Sequence, residues 1–282
     1  MKRTILTGIL ALAAIAGILM AQQAPSAPAG QAPAAAQPAP AKPAGPHPKS
    51  PEELTALQAL MAAQQKSDPD GIIKAGDDVL TKFADTDYKE MVLTLEAMAY
   101  EMKGDAVNEQ VAWGRVMEVD PASIPANLKL GGLIAKQTTD KDLDRDDQLA
   151  KAEKCLNAAI AGIKAQQANP QTTPQAQAQL KLSDAEAHED LGLVGLTRAT
   201  ANKDADPKKY DKAITEMQAA ANGDPDQAAY QARLAAVLVS AGKNAEALAL
   251  CDKILALPNL NPQIKSYVET RVRPAAAAAP AK

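Results

Sequence analysis

The stretch from Glu90 to Pro121, EMVLTLEAMAYEMKGDAVNEQVAWGRVMEVDP, reads as a helical pattern, a break at Gly104, a second helical pattern and an Asp-Pro stop. The same order returns in AAYQARLAAVLVSAGKNAEALALCDKILALP. There Gly242 takes the place of Gly104, with Leu234, Ala235 and Leu238 before it and Ala247, Leu248 and Cys251 after it. Between these two units lie two longer ones, ANLKLGGLIAK with LAKAEKCLNAAI, and AEAHEDLGLVGL with YDKAITEMQAAANGDP. A helix pair repeated along a chain cannot bury its apolar face alone and stacks on its own copies. The recurrence therefore predicts an all-α array. Composition agrees, because aromatics make up 2 % of the 282 residues, with one Phe and one Trp. Such a chain has few large side chains to fill a wide core, so thin layers of helices suit it better.

The helix in KYDKAITEMQAAANGDP is built largely of alanine. Alanine gains little from burial, since the gain scales with apolar area, but it lets a neighbouring helix come close. Small residues fall midway along the first helix of each pair, at Ala97, Gly131, Gly192 and Ala235, and early in the second, at Ala152, Ala213 and Ala247. Proline stands near the unit boundary at Pro121, Pro225 and Pro258. On these positions the chain resembles the tetratricopeptide repeat (TPR), a helix-turn-helix unit of about 34 residues. The resemblance covers Glu90 to Leu257 and, more faintly, Glu53 to Phe83. It implies an alpha-alpha superhelix, a solenoid of the TPR type, with about four to five helix pairs over residues 50–273 and larger residues such as Trp113, Leu156 and Met217 packed between units. Glu109, where the pattern wants a small residue, is a departure.

The remaining segments read differently. MKRTILTGILALAAIAGILMA, residues 1–21, places Lys2 and Arg3 before an apolar run from Ile5 to Met20, the pattern of a secretory signal peptide. Two fates stay open: cleavage after Ala21, or retention as a signal anchor, for which about 20 apolar residues are the usual need. Either implies export, to the periplasm or beyond, with inner-membrane attachment in the second case. Residues 22–49, rich in Ala, Pro and Gln without apolar periodicity, read as a disordered linker, and 274–282 as a disordered tail. Two units exceed the repeat length by about nine residues at the inter-helix turn, in QTTDKDLDRDD and ATANKDADPKK, which are expected to project side by side as loops. AQQANPQTTPQAQAQ reads as a spacer, followed by a capping box at Ser183 and Glu186. NPQIKSYVETRVR reads as a closing helix with its polar side to water.

Little in the chain points to catalysis. Of two histidines, His47 lies in the linker and His188 on a first helix, where packing is its expected role. No nucleophile motif, phosphate loop or cofactor signature is present, and a net charge of -4 gives no reason to expect nucleic acid. Cys155 and Cys251 sit on second helices of different units, too far apart for a disulfide, and are expected as buried thiols. DLDRDDQLAKAE places Asp142, Asp144, Asp146 and Glu153 at calcium-loop positions, but Asp147 occupies the sixth position where the loop needs glycine, so a solvated acidic loop is the stronger reading.

In TPR proteins the first helices line a groove that receives a peptide or helix of another protein. The resemblance puts Met91, Thr94, Met98, Met102, Leu128, Leu193, Leu196, Ala232, Ala236 and Val239 on that face, several of which could instead pack under a neighbouring unit. Relatives that hold acidic chaperone tails carry Lys, Arg and Asn at fixed groove positions. Thr94 and Met98 stand at two of those places, which excludes that specificity. The expected function is a non-catalytic scaffold for protein-protein contact in the cell envelope. The alternative is a self-assembling or chaperone-like assembly factor of a secretion or envelope complex, with homo-oligomers open in either case.

Overall fold

The computed structural model describes residues 45–202 and 204–278. Residues 1–21, expected as a signal segment, and most of the expected linker lie outside these residues. The chain divides into two compact units, the first ending at Val119 and the second beginning at Asp120.

The first unit holds two hairpins. Helix α1 (Pro51–Gln65) pairs with α2 (Pro69–Lys82), and α3 (Lys89–Lys103) with α4 (Ala106–Val119). The α1–α2 hairpin is complete although its sequence signal is faint, and its start signals explain it. Ser50 Oγ accepts from Glu53 N at 3.1 Å and Asp68 Oδ1 from Gly71 N at 3.0 Å, each with proline at the first helical position. Leu57 and Leu60 of α1, Ile72 and Val79 of α2, and Val92, Leu95 and Ala99 of α3 form the core, with Tyr88 beside them. Helix α3 stops at Gly104, whose φ of 68° is left-handed, a conformation that costs glycine nothing.

The linker boundary moves here. Residues 45–49 lie against the α2–α3 turn, where Tyr88 Oη donates to the Pro46 carbonyl at 3.0 Å and Lys49 Nζ reaches Asp85 at 3.1 Å and Asp87 at 3.3 Å.

The second unit continues the pairing. It comprises α5 (Ile124–Gln137) with α6 (Arg145–Gln167), α7 (Pro174–Ala201) with α8 (Asp211–Gly223), and α9 (Ala228–Ser240) with α10 (Asn244–Leu255). Helix α11 (Pro262–Tyr267) runs through one π-helical turn, Val268–Val272, into α12 (Arg273–Ala278). Pro274 lacks the N–H that a regular α-turn would use, and the irregular turn directly precedes it. The helical rod closes this unit through Val268, Val272 and Ala276, one turn apart and all buried, with its polar side exposed as expected. Residues 274–278, expected as disordered tail, are therefore helical.

Two further expectations are corrected. Helix α7 begins at Pro174, nine residues before Ser183, and its cap is Thr173, whose Oγ1 accepts from Ala176 N at 3.2 Å. Ser183 sits inside the helix, and the second part of the expected spacer, residues 174–179, is its first turns. The second insertion is only partly loop, because α7 runs on to Ala201 before a 3-10 turn at Pro207–Tyr210.

The small positions are where the helices meet. Ala97, Ala152, Ala213, Ala235 and Ala247 are fully buried. A Cβ on Gly131 would lie 2.8 Å from Leu156 Cγ and 3.1 Å from the Ala152 carbonyl oxygen, and one on Gly195 would lie 3.0 Å from the Ala213 backbone nitrogen. Trp113, Leu156 and Met217 are buried at 1 % exposure or less, Leu156 against Gly131 and Met217 against Gly192 within their own hairpins. Cys155 and Cys251 are buried free thiols, and burial pushes both up.

Candidate functional site

The first helices of the second unit, α5, α7 and α9, are joined side by side by charge. Along α7 the sequence EAHED places Glu186 and Asp190 one turn apart toward α5, where Lys129 Nζ donates to Glu186 Oε1 at 3.1 Å and Lys136 Nζ meets Asp190 at 2.7 Å. Glu189 pairs with Arg233 of α9. Glu189 is 3 % exposed and Asp190 0 %, so these are buried carboxylates that need their partners. Burial holds the Asp190 carboxyl above the usual range while Lys136 pulls it down. The same burial, with Glu186 and Asp190 nearby, pushes the Tyr230 phenol up. Gly132 makes room for this ladder, since a Cβ there would overlap Asp190 Oδ2.

His188, between the ladder residues in sequence, turns the other way. Its Nδ1 lies 2.7 Å from Glu216 Oε2 on α8, and Asp184 stands one turn back on α7. The Glu216 hydrogen bond raises the imidazole against the lowering effect of burial. In the first unit, Arg115 of α4 reaches Glu96 of α3, which is 2 % exposed.

The residues expected to face a groove divide into three groups. Leu128 at 5 % and Ala232 at 3 % exposure are buried and offer no contact surface. Met91 packs against the first unit's core, and Leu193, Leu196, Ala236 and Val239 pack against clusters of the second. Thr94, Met98 and Met102 share one face of α3 and remain half-buried outside that cluster. Apart from Leu128 and Ala232, the expected groove residues are thus half-buried, and in the second unit the first helices also meet through ion pairs. The omission has a cause: charged residues in a helical pattern read as solvated, and the partners of Asp190 and Glu186 lie more than fifty residues away. The adjacent pair Gly131–Gly132 was the available signal, because the repeat asks for one small residue there.

The four carboxylates of the calcium-loop pattern each have a partner within the chain. Asp142 accepts from Thr139 N at 2.7 Å, Asp144 from Gln148 Nε2 at 2.8 Å, and Asp146 pairs with Arg145 at 3.0 Å. Glu153 receives Arg198 Nη1 at 2.6 Å and also Lys212. Each carboxylate is engaged elsewhere, and no group of three or more metal-capable side chains occurs among the described residues. Glu153 instead ties α6 to the residues on either side of the second insertion. No described helix is long and apolar enough to cross a membrane.

No family model matches this sequence, and no curated protein does. Solved structures do resemble it. A MamA double mutant from strain RS-1 aligns with a TM-score of 0.53 at 17 % identity, over 73 % of this chain and 94 % of that one. MamA (residues 41 to end) from Desulfovibrio magneticus RS-1 gives 0.52 at 17 % identity over the same shares, 73 % and 94 %. A thermophilic TPR protein of Thermus thermophilus aligns at 0.45 and 17 % identity, over 77 % and 97 %. With its Gly-broken hairpins, small-residue contacts and closing helix, the chain has a fold of the tetratricopeptide-repeat type.

Proposed function

We propose that the protein is a non-catalytic scaffold that binds another protein through the first helices of its hairpins. The observation that carries this reading is on α3, where Thr94, Met98 and Met102 lie one turn apart on one face, half-buried and outside the unit's core. A thioether-bearing helical face adapts to more than one apolar partner surface. The envelope is the proposed location, on the strength of the basic-then-apolar pattern of residues 1–21 and the Ala/Pro-rich segment that follows. Replacing Met98 and Met102 together with Glu tests the reading: loss of the native partner in crosslinked envelopes, with unchanged circular dichroism, is expected. Undiminished capture would place the contact elsewhere.

A second reading is self-assembly. Val107 at 74 % and Val111 at 59 % exposure stand one turn apart on α4, an apolar pair that a second copy would cover. Light scattering separates the two readings: a mass that grows with concentration and falls back in a Val111→Lys variant favours assembly, and a constant monomer favours partner capture.

A further inference from the structure

Glu96 lies midway along α3 and is 2 % exposed. Its carboxyl occupies the space that Gly76 leaves on α2, since a Cβ at Gly76 would lie 2.5 Å from Glu96 Oε1 and 2.8 Å from its Cγ. The α2–α3 seam joins the first hairpin to the second, and at this level a carboxyl group closes it where a hydrocarbon would normally stand. Glu96 Oε2 accepts from Arg115 Nη1 on α4 at 3.3 Å, while Oε1 accepts no hydrogen bond from any described residue. The charged and titratable groups facing it are Asp77 from α2, Arg115 from α4 and Tyr100 one turn along α3. Arg115 is itself half in water, at 44 % side-chain exposure, and so compensates a buried charge only in part.

A neutral carboxyl sits in this seam at lower cost than a carboxylate, because it buries no charge beside Asp77. A carboxylate there keeps one oxygen without a donor and faces Asp77. We propose that the α2–α3 seam is a proton-operated joint, closed by a neutral Glu96 carboxyl against Gly76 and loosened when that carboxyl ionises. Burial first, and Asp77 second, push Glu96 up to about 7, with Arg115 opposing, which puts the transition in the neutral range. Because the closed form holds its proton more tightly than the open one, the advantage of closure is full below the ordinary value of 4.5 and is lost as pH rises toward 7. The joint is a property of the first unit and does not depend on what the scaffold binds.

Hydrogen exchange of the α2 and α3 amides in the full chain, corrected for intrinsic rates between mildly acidic and mildly alkaline pH, reads the joint directly. The opening equilibrium is expected to rise up to about tenfold per pH unit on the acidic side of neutrality and to level off above it. Glu96→Gln, locked neutral, should lose this dependence. Two variants at exposed positions report even if Glu96→Gln fails to fold. Asp77→Asn removes a group that raises Glu96 and should move the break to lower pH, and Arg115→Gln removes one that lowers it and should move the break to higher pH. Opposite displacements support the joint. A flat wild-type profile, a Glu96→Gln profile that keeps its slope, or displacements in the same direction would overturn it.

Discussion

Gly132→Ala sets two opposed effects against each other in one residue. Gly132 is inside α5, where alanine is preferred over glycine by about 1 kcal/mol. On propensity alone the variant should be more stable. The added Cβ, however, overlaps Asp190 Oδ2 and comes within 3.2 Å of Lys136 Nζ. Asp190 is 0 % exposed, so its carboxylate has no water to retreat into and must give up Lys136, now 2.7 Å away. Breaking a buried pair costs about 3–5 kcal/mol. Lys136 is 45 % exposed and can swing into solvent, which favours the lower end of that range. The balance is a net loss of about 2 kcal/mol, measured by urea unfolding followed by far-ultraviolet circular dichroism. A second arm isolates the cause: in an Asp190→Ala background the obstacle is gone, and Gly132→Ala should stabilise by about 1 kcal/mol. A Gly132→Ala protein at least as stable as the wild type, or a loss that persists without Asp190, would refute the ladder as described.

Other consequences are simpler to state. Met217→Ala empties a site that is 1 % exposed and should cost about 2–5 kcal/mol in the same unfolding assay; a loss well under 1 kcal/mol would mean that α7 and α8 close up around it. Gly104→Ala and Gly242→Ala force a side chain into φ of 68° and 72° and should each cost about 1 kcal/mol, despite open space at both positions. The His188–Glu216 bond raises the imidazole in the folded state, so its contribution to stability is full below the unfolded value of 6.5 and lost as pH rises through the higher folded value. A Glu216→Gln variant should lose this part of the pH dependence, and an unchanged titration of His188 by nuclear magnetic resonance would contradict it.

Much of the fold is legible because its signals are steric. Gly104 and Gly242 hold left-handed turns, and the buried alanines stand where two backbones approach. The same logic misplaces the start of α7, because the acid-rich stretch at Ser183 resembles a cap and draws attention from the Thr173–Pro174 start. That start has the form of Ser50–Pro51 and Asp68–Pro69, the starts of α1 and α2. The site is less legible. Glu96, Glu189 and Asp190 occupy positions that a hydrophobic pattern assigns to water, and what makes them core residues is a partner on another helix or a glycine opposite, as at Gly76 and Gly132. Leu128 and Ala232, expected on the binding face, are buried by the same close approach of helices.

Site-specific photocrosslinking from the two sides of the hairpins tests the scaffold reading most directly. A photoreactive residue at Thr94 or Met98, on a first helix, should yield a discrete adduct with a protein of the native envelope, whereas one at Lys154 or Gln218, exposed on second helices, should not. Adducts from Lys154 and Gln218 alone would contradict the assignment of partner contact to the first helices.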